Sequence, residues 1–266
     1  MNAKATRRIG PDERFIAIRG DARRIATCLE AVDLSTPIPS CPGWDLRTLG
    51  VHVGLVHRWA THAIRSASVP SDDIVPEPSP DASGEELAAW LRLGSGILVD
   101  ILATTRPDAA TWHPFPLEQR AWVWSRRMMQ ETMVHRWDGE VATGGRPVLD
   151  ARAAADGIDE FLELRRPGVF ARGTSSLPTR SLHLHCTDDD LEPGTGEWTL
   201  WNDRGDYRVD ADHRSADTAL RGSAAAILLV LLGRAHLDTI EVIGDSSAAD
   251  EWLDPPAAPT APVEFS

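Results

Sequence analysis

The chain has 266 residues, 42% of them hydrophobic and 25% charged. That globular balance excludes wholesale disorder, collagen-like and coiled-coil architectures, and the length suits two domains of ordinary size. Asp and Glu (40) outnumber Lys and Arg (27), for a formal net charge of -13; such a surface repels phosphate backbones and anionic lipid heads, so neither nucleic acid nor membrane is expected as a partner. The three cysteines, Cys28, Cys41 and Cys186, are odd in number and widely spaced. They form no disulfide framework and fit a cytoplasmic, reducing compartment. No apolar stretch follows the charged N-terminus as in a secretory signal. The longest apolar run, 224–232, is nine residues, against the roughly 20 of a membrane span.

The first half reads as helices. Phe15, Ile18, Ile25 and Leu29 recur at helical spacing over about 11–31. Residues 35–43 (STPIPSCPG) form a loop rich in Pro and Ser. Asp45 then makes an N-cap for a helix reaching about Arg65, with Leu46, Leu49, Val53, Val56 and Trp59 on its apolar stripe. The stretch 66–84, rich in Pro, Ser and Asp, reads as a long exposed connection. A third helix is predicted over about 84–105 and a fourth over about 117–143, stopped by Gly144, Gly145 and Pro147. Four such helices with polar connections predict an antiparallel four-helix bundle over 10–147.

Beyond residue 147 the rhythm changes. One further helix, about 150–165, leads into period-two segments at 181–187, 197–202 and 207–212. An apolar helix over about 216–232, a short strand at 240–243 and a short helix to Leu253 follow. Together these predict a small α+β domain over 148–254, with a disordered, low-complexity tail at 255–266.

The strongest chemical signal is Glu131-Thr-Met-Val-His135 on the fourth helix. Residues four apart share a helical face, so a carboxylate and an imidazole converge there. Alone, such a pair is often just a solvated ion pair. The second helix offers His52, His57 and His62 as further ligands. His52 lies on the inward stripe, His57 about 140° around toward the rim, and His62 near the exposed end. Two imidazoles and one carboxylate form a ligand set used by catalytic zinc centres with an open position; the alternative for His52 is a core histidine hydrogen-bonded to a neighbour. In the second half, His183 and His185 alternate with leucines and so share one face of a strand, where a second metal site with His213 is conceivable. Ten tryptophans serve either as core filler or as the walls of a pocket.

Three segments of the first two-thirds resemble the mycothiol-dependent maleylpyruvate isomerase family: CPGWDLRTLGVHVGLVHRWA (41–60), RRMMQETMVHRWDGEVATG (126–144) and AADGIDEFL (154–162). Two more lie near the C-terminus, ADTALRGSAAAILLVLLGR (216–234) and IEVIGD (240–245). The resemblance implies a DinB-like zinc-binding bundle followed by a sterol-carrier-like α+β domain. It places the family's zinc ligands on His52, Glu131 and His135 and its catalytic arginine on Arg234, with Arg221 the competing position. Arg136 and Asp138, in the HRWD string, read as a structural pair or as support for His135.

The function so implied is activation of mycothiol, a low-molecular-weight thiol, by zinc or another divalent ion, for attack on a small electrophile. Two imidazoles and a carboxylate leave a Zn²⁺ site at charge +1, which a thiolate neutralises. In the isomerase reading the sulfur adds to the cis double bond of a dicarboxylic enone, the bond rotates, and elimination returns the trans product and the thiol. In the S-transferase reading the thiol stays attached. Arg234 would anchor a substrate carboxylate, and indoles such as Trp59 would give the sugar-like thiol a stacking surface between the domains. A zinc-stabilised module that binds a small molecule or lipid without catalysis, and a purely structural polar cluster, are the readings from other classes.

Overall fold

The computed structural model describes residues 9–70, 77–165 and 177–253. The tail expected at 255–266 and positions 71–76 of the long connection lie outside them. The described residues group into two compact units, Gly10–Val148 on the one hand and 149–253 with Ile9 on the other.

The first unit is a four-helix bundle of α1 (Pro11–Ala31), α2 (Leu46–Ser66), α3 (Gly84–Thr104) and α4 (Ala121–Ala142). Local chemistry sets the helix starts. The Asp45 carboxylate accepts hydrogen bonds from the Thr48 N–H (2.8 Å) and hydroxyl (2.7 Å). Ser83 and Glu86 form a capping box, Ser83 Oγ accepting from the Glu86 N–H and Glu86 Oε2 from the Ser83 N–H. The fourth helix begins later than its composition suggests, because the Ala110–Arg120 bridge and the bond from the Thr111 N–H to the Gln119 carbonyl hold that stretch extended. At its far end Gly144 takes φ +82°, a left-handed stop that suits glycine.

Both α1 and α2 pack against α3 and α4. The α2–α3 contact depends on Gly54: a Cβ there would come within 1.9 Å of the Trp90 ring. Trp90 in turn lies under the Arg58 guanidinium, 3.7 Å from ring centroid to Cζ. By length and composition α3 is apolar enough to cross a membrane; in the bundle its Leu87, Ala88, Leu91 and Leu98 are fully buried. Burial on α4 takes in Ser125, Arg126, Gln130, Thr132, His135, Arg136 and Asp138 along with its apolar residues. Buried polar groups are costly unless paired, so their concentration on one helix marks a built site.

In the second unit, α5 (Ala151–Glu160) continues through a π-helical turn, Phe161–Arg165. A five-stranded sheet follows: β1 (Leu182–Cys186), β2 (Glu197–Asp203), β3 (Asp206–Asp210), β4 (Thr218–Gly222) and β5 (Glu241–Gly244), in the spatial order β3-β2-β1-β4-β5. Only the β1–β4 pair is parallel. The apolar helix expected over 216–232 is therefore shorter. Its first third is β4, and α6 (Ala224–Leu231) starts only after Ser223, whose hydroxyl accepts from the Ala226 N–H. Gly222 and Ser223 make the break, one fitting against Ile240 and the other capping. Leu182, Leu184, Trp198, Leu200 and Leu220 are buried on the face that meets α6 and α7 (Ser246–Leu253); alternation sends His183, His185 and Glu197 to the other face.

Candidate metal centre

Helical spacing does for α4 what the sequence suggests. Glu131 and His135 sit one turn apart, with His135 Nε2 3.1 Å from Glu131 Oε1. Across the bundle His52 of α2 brings its Nε2 to 2.9 Å from the same oxygen. The donor atoms of His52, Glu131 and His135 all lie within 4.8 Å of one another, with His52 and Glu131 part-exposed and His135 buried. The other Glu131 oxygen, Oε2, accepts from Arg127.

The surroundings fix the tautomer of His135. Its Nδ1 lies 2.9 Å from Asp138 Oδ2, and Asp138 is fully buried. Asp138 also accepts from Ser40 Oγ at 2.5 Å and from the Cys41 thiol at 3.6 Å. A proton held on Nδ1 leaves the Nε2 lone pair free to face Glu131, which is how a carboxylate prepares a histidine for a metal. Asp138 thus supports His135, whereas Arg136 turns to Asp21 and Glu140, 2.9 Å from each. Cys41, His135 and Asp138 make an overlapping group of possible ligands. It is buried throughout, whereas His52 and Glu131 of the His52–Glu131–His135 tripod are part-exposed. Two nitrogens and one oxygen are a donor set that could hold a zinc ion.

His57 departs from the expected rim position. It is fully buried, with Nε2 2.9 Å from Thr132 Oγ1. Because the Thr132 hydroxyl donates to the Met128 carbonyl, the imidazole must be the donor. Burial, with Arg58, His52 and His135 adding repulsion, pushes its pKa down to about 3. The reason is geometric: Leu49, Val53, His57, Ala60 and Ile64 form the true inward line of α2, and His52 sits on its flank, aimed at α4.

The tryptophan at the site is one the motifs did not single out. Trp44 stacks on the His135 ring (centroids 5.7 Å, planes 18° apart) and tilts against His52 at 4.8 Å. Its position just before the Asp45 cap was the available signal. Trp59, expected to offer a stacking face for the thiol, is buried edge-on against Trp112 and Trp124. Arg234 follows α6 and is half-buried, its Nη1 donating to the Leu232 carbonyl at 2.9 Å. Arg221 stands on β4, not on a helix, and pairs with Glu241 at 2.9 Å.

A helical bundle that gathers a His–Glu–His cluster, joined to a small mixed-sheet domain, defines a two-domain architecture. The family model described as the mycothiol maleylpyruvate isomerase N-terminal domain matches residues 17–139, and that of the corresponding C-terminal domain matches 152–251. The chain belongs to the mycothiol-dependent maleylpyruvate isomerase family. Its fold is similar to two crystal structures, of the mycothiol-dependent maleylpyruvate isomerase and of that protein's H52A mutant. Each shows 14% identity and a TM-score of 0.58, with 88% of this chain and 93% of the other covered. No curated protein matches the chain by sequence.

Proposed function

We propose that this protein is a zinc-dependent isomerase that uses a low-molecular-weight thiol of the mycothiol kind to convert a small cis-dicarboxylate, such as maleylpyruvate, to its trans isomer. The observation that carries the reading is the convergence of His52, Glu131 and His135 donor atoms within 4.8 Å, in a chain of this family. Zinc at such a tripod lowers the pKa of a coordinating thiol, so that the sulfur nucleophile is present at neutral pH.

The chain's own cysteines are poorly placed for that role. Burial raises the Cys28 pKa, and burial with Asp188 and Glu197 nearby pushes Cys186 up to about 12. The Cys41 thiol is engaged by Asp138. The thiol is therefore external. Asp138 holds His135 in its ligating tautomer, Arg127 steadies the second Glu131 oxygen, and Trp44 covers both imidazoles against water. Arg234 is proposed as the cation that anchors a substrate carboxylate, by bidentate pairing; that role rests on the family resemblance.

The test is a cis–trans conversion followed by proton NMR, with and without mycothiol, on wild type and His135→Ala. Conversion that requires the thiol, returns it unconsumed and is lost with the metal in the variant supports the reading. Thiol consumed in step with substrate would make the enzyme an S-transferase. Undiminished conversion by metal-free His135→Ala would remove the mechanism.

A further inference from the structure

The sheet domain gathers a second set of donors that the proposed reaction does not use. β1 sends His183 and His185 to the face opposite the helices, and Glu197 of β2 stands directly across from His185. His213, three residues beyond the end of β3, comes back to the same carboxylate. His185 Nδ1 lies 2.9 Å from Glu197 Oε1, His213 Nδ1 2.7 Å from Oε2, and His183 Nε2 3.5 Å from Oε2. All four donor atoms fall within 4.8 Å of one another. The His213 ring stands edge-on to that of His183, with centroids 4.8 Å apart.

Hydrogen bonding alone leaves this arrangement incomplete. One carboxylate serves two of the imidazoles, while the buried Nε2 of His183 lies 3.5 Å from it, outside good hydrogen-bond geometry. A buried nitrogen left so is costly, and a cation among the four groups would take a lone pair from it. Nearby cations are already matched: Arg221, beside His185 on β4, by Glu241, and Arg214 by Asp210 and Asp212.

We propose that His183, His185, Glu197 and His213 form a second metal site, for a divalent transition ion of zinc's class. Three imidazoles and one carboxylate complete a tetrahedral sphere, in which donors sit about 3.3 Å apart, so small side-chain rotations close the set. Nitrogen-rich donors select against Mg²⁺ and Ca²⁺. With four protein ligands and no open position the site is structural, tying β1 and β2 to the residues after β3. Its most exposed ligand, His213, has 72% of its side chain accessible, against 6% for His183, and so makes the entry side.

The proposal stands apart from the bundle centre and is tested on tag-free full-length protein in which that centre is removed by His52→Ala and Glu131→Gln. Zinc is added, a competing chelator clears weakly held ions, and retained metal is measured by plasma mass spectrometry beside thermal unfolding. One zinc per chain and a raised Tm are expected. Adding His185→Ala and His213→Ala, at a part-exposed and an exposed position that a fold tolerates, should weaken zinc binding by more than the roughly 10- to 100-fold that loss of an outer partner costs, and abolish the Tm shift. No zinc retained in the bundle-site variant overturns the proposal, as does zinc that persists unchanged when His185 and His213 are lost. Failure of the bundle reading would appear elsewhere, as zinc in wild type unaffected by His52→Ala and Glu131→Gln.

Discussion

The two histidine–carboxylate clusters answer different structural problems with similar side chains. In the bundle, His52, Glu131 and His135 come from two rigid helices, with His135 further locked by Asp138 and roofed by Trp44. In the sheet, His183, His185 and Glu197 come from adjacent strands, and a loop residue, His213, completes the set. Three donors converge in the bundle and four in the sheet; on the proposed readings the first would serve turnover and the second stability. What separates them is the number of converging donors and the rigidity of what carries them, not donor type.

Removing the carboxylate of the tripod should show the contrast most strongly. Glu131→Gln is expected to lose its bundle metal and roughly 10³-fold in kcat/KM, since a bound metal contributes several kcal/mol to such chemistry; steady-state kinetics with parallel metal analysis checks it, and retained turnover would erase the distinction between the two clusters.

The bundle site also rests on a neutral, buried neighbour. His57 has a folded pKa of about 3 against an ordinary 6.5, so the unfolded chain takes up the proton first as pH falls. The stability it confers is complete above about pH 6.5 and is lost progressively between there and about pH 3. On the order of 4 kcal/mol should disappear across that window. Urea melts of wild type and His57→Gln over the same pH range should show a flatter profile for the variant.

Next in size is the α2 scaffold. Gly54→Ala puts a methyl group into the Trp90 ring and should cost about 3 kcal/mol, the upper end for overpacking, read from the urea midpoint. The smallest expected effect is in the outer layer: Asp138→Asn should weaken zinc at the bundle about 10- to 100-fold, while zinc bound by the sheet quartet stays unchanged.

Much of this was legible in the sequence because it depends on local periodicity. The residue spacing on α4 alone brings Glu131 and His135 together, and Asp45 and the Ser83–Glu86 box announce their helices through side chains that satisfy orphan N–H groups. The alternation SLHLHC places His183 and His185 on one face of a strand whatever the partner. Other features were hidden because they depend on pairing across the chain. Residues 218–222 carry a composition that also suits a helix, and only pairing with β1 makes them strand β4. Glu197 becomes a hub only once β2 registers it against His185.

The sequence by itself determined the four bundle helices, the strands β1 to β3, the one-turn pairing on α4 and the family, since these rest on side-chain periodicity, caps and motifs that act over a few residues. The tertiary structure decided which face of α2 points inward, burying His57 and leaving His52 on the flank that meets α4. It also decided that Trp44 lies against both imidazoles while Trp59 is buried among other indoles, and that four scattered residues of the sheet domain share one point. Those outcomes follow from helix packing and strand register, which bring together groups that no local spacing connects.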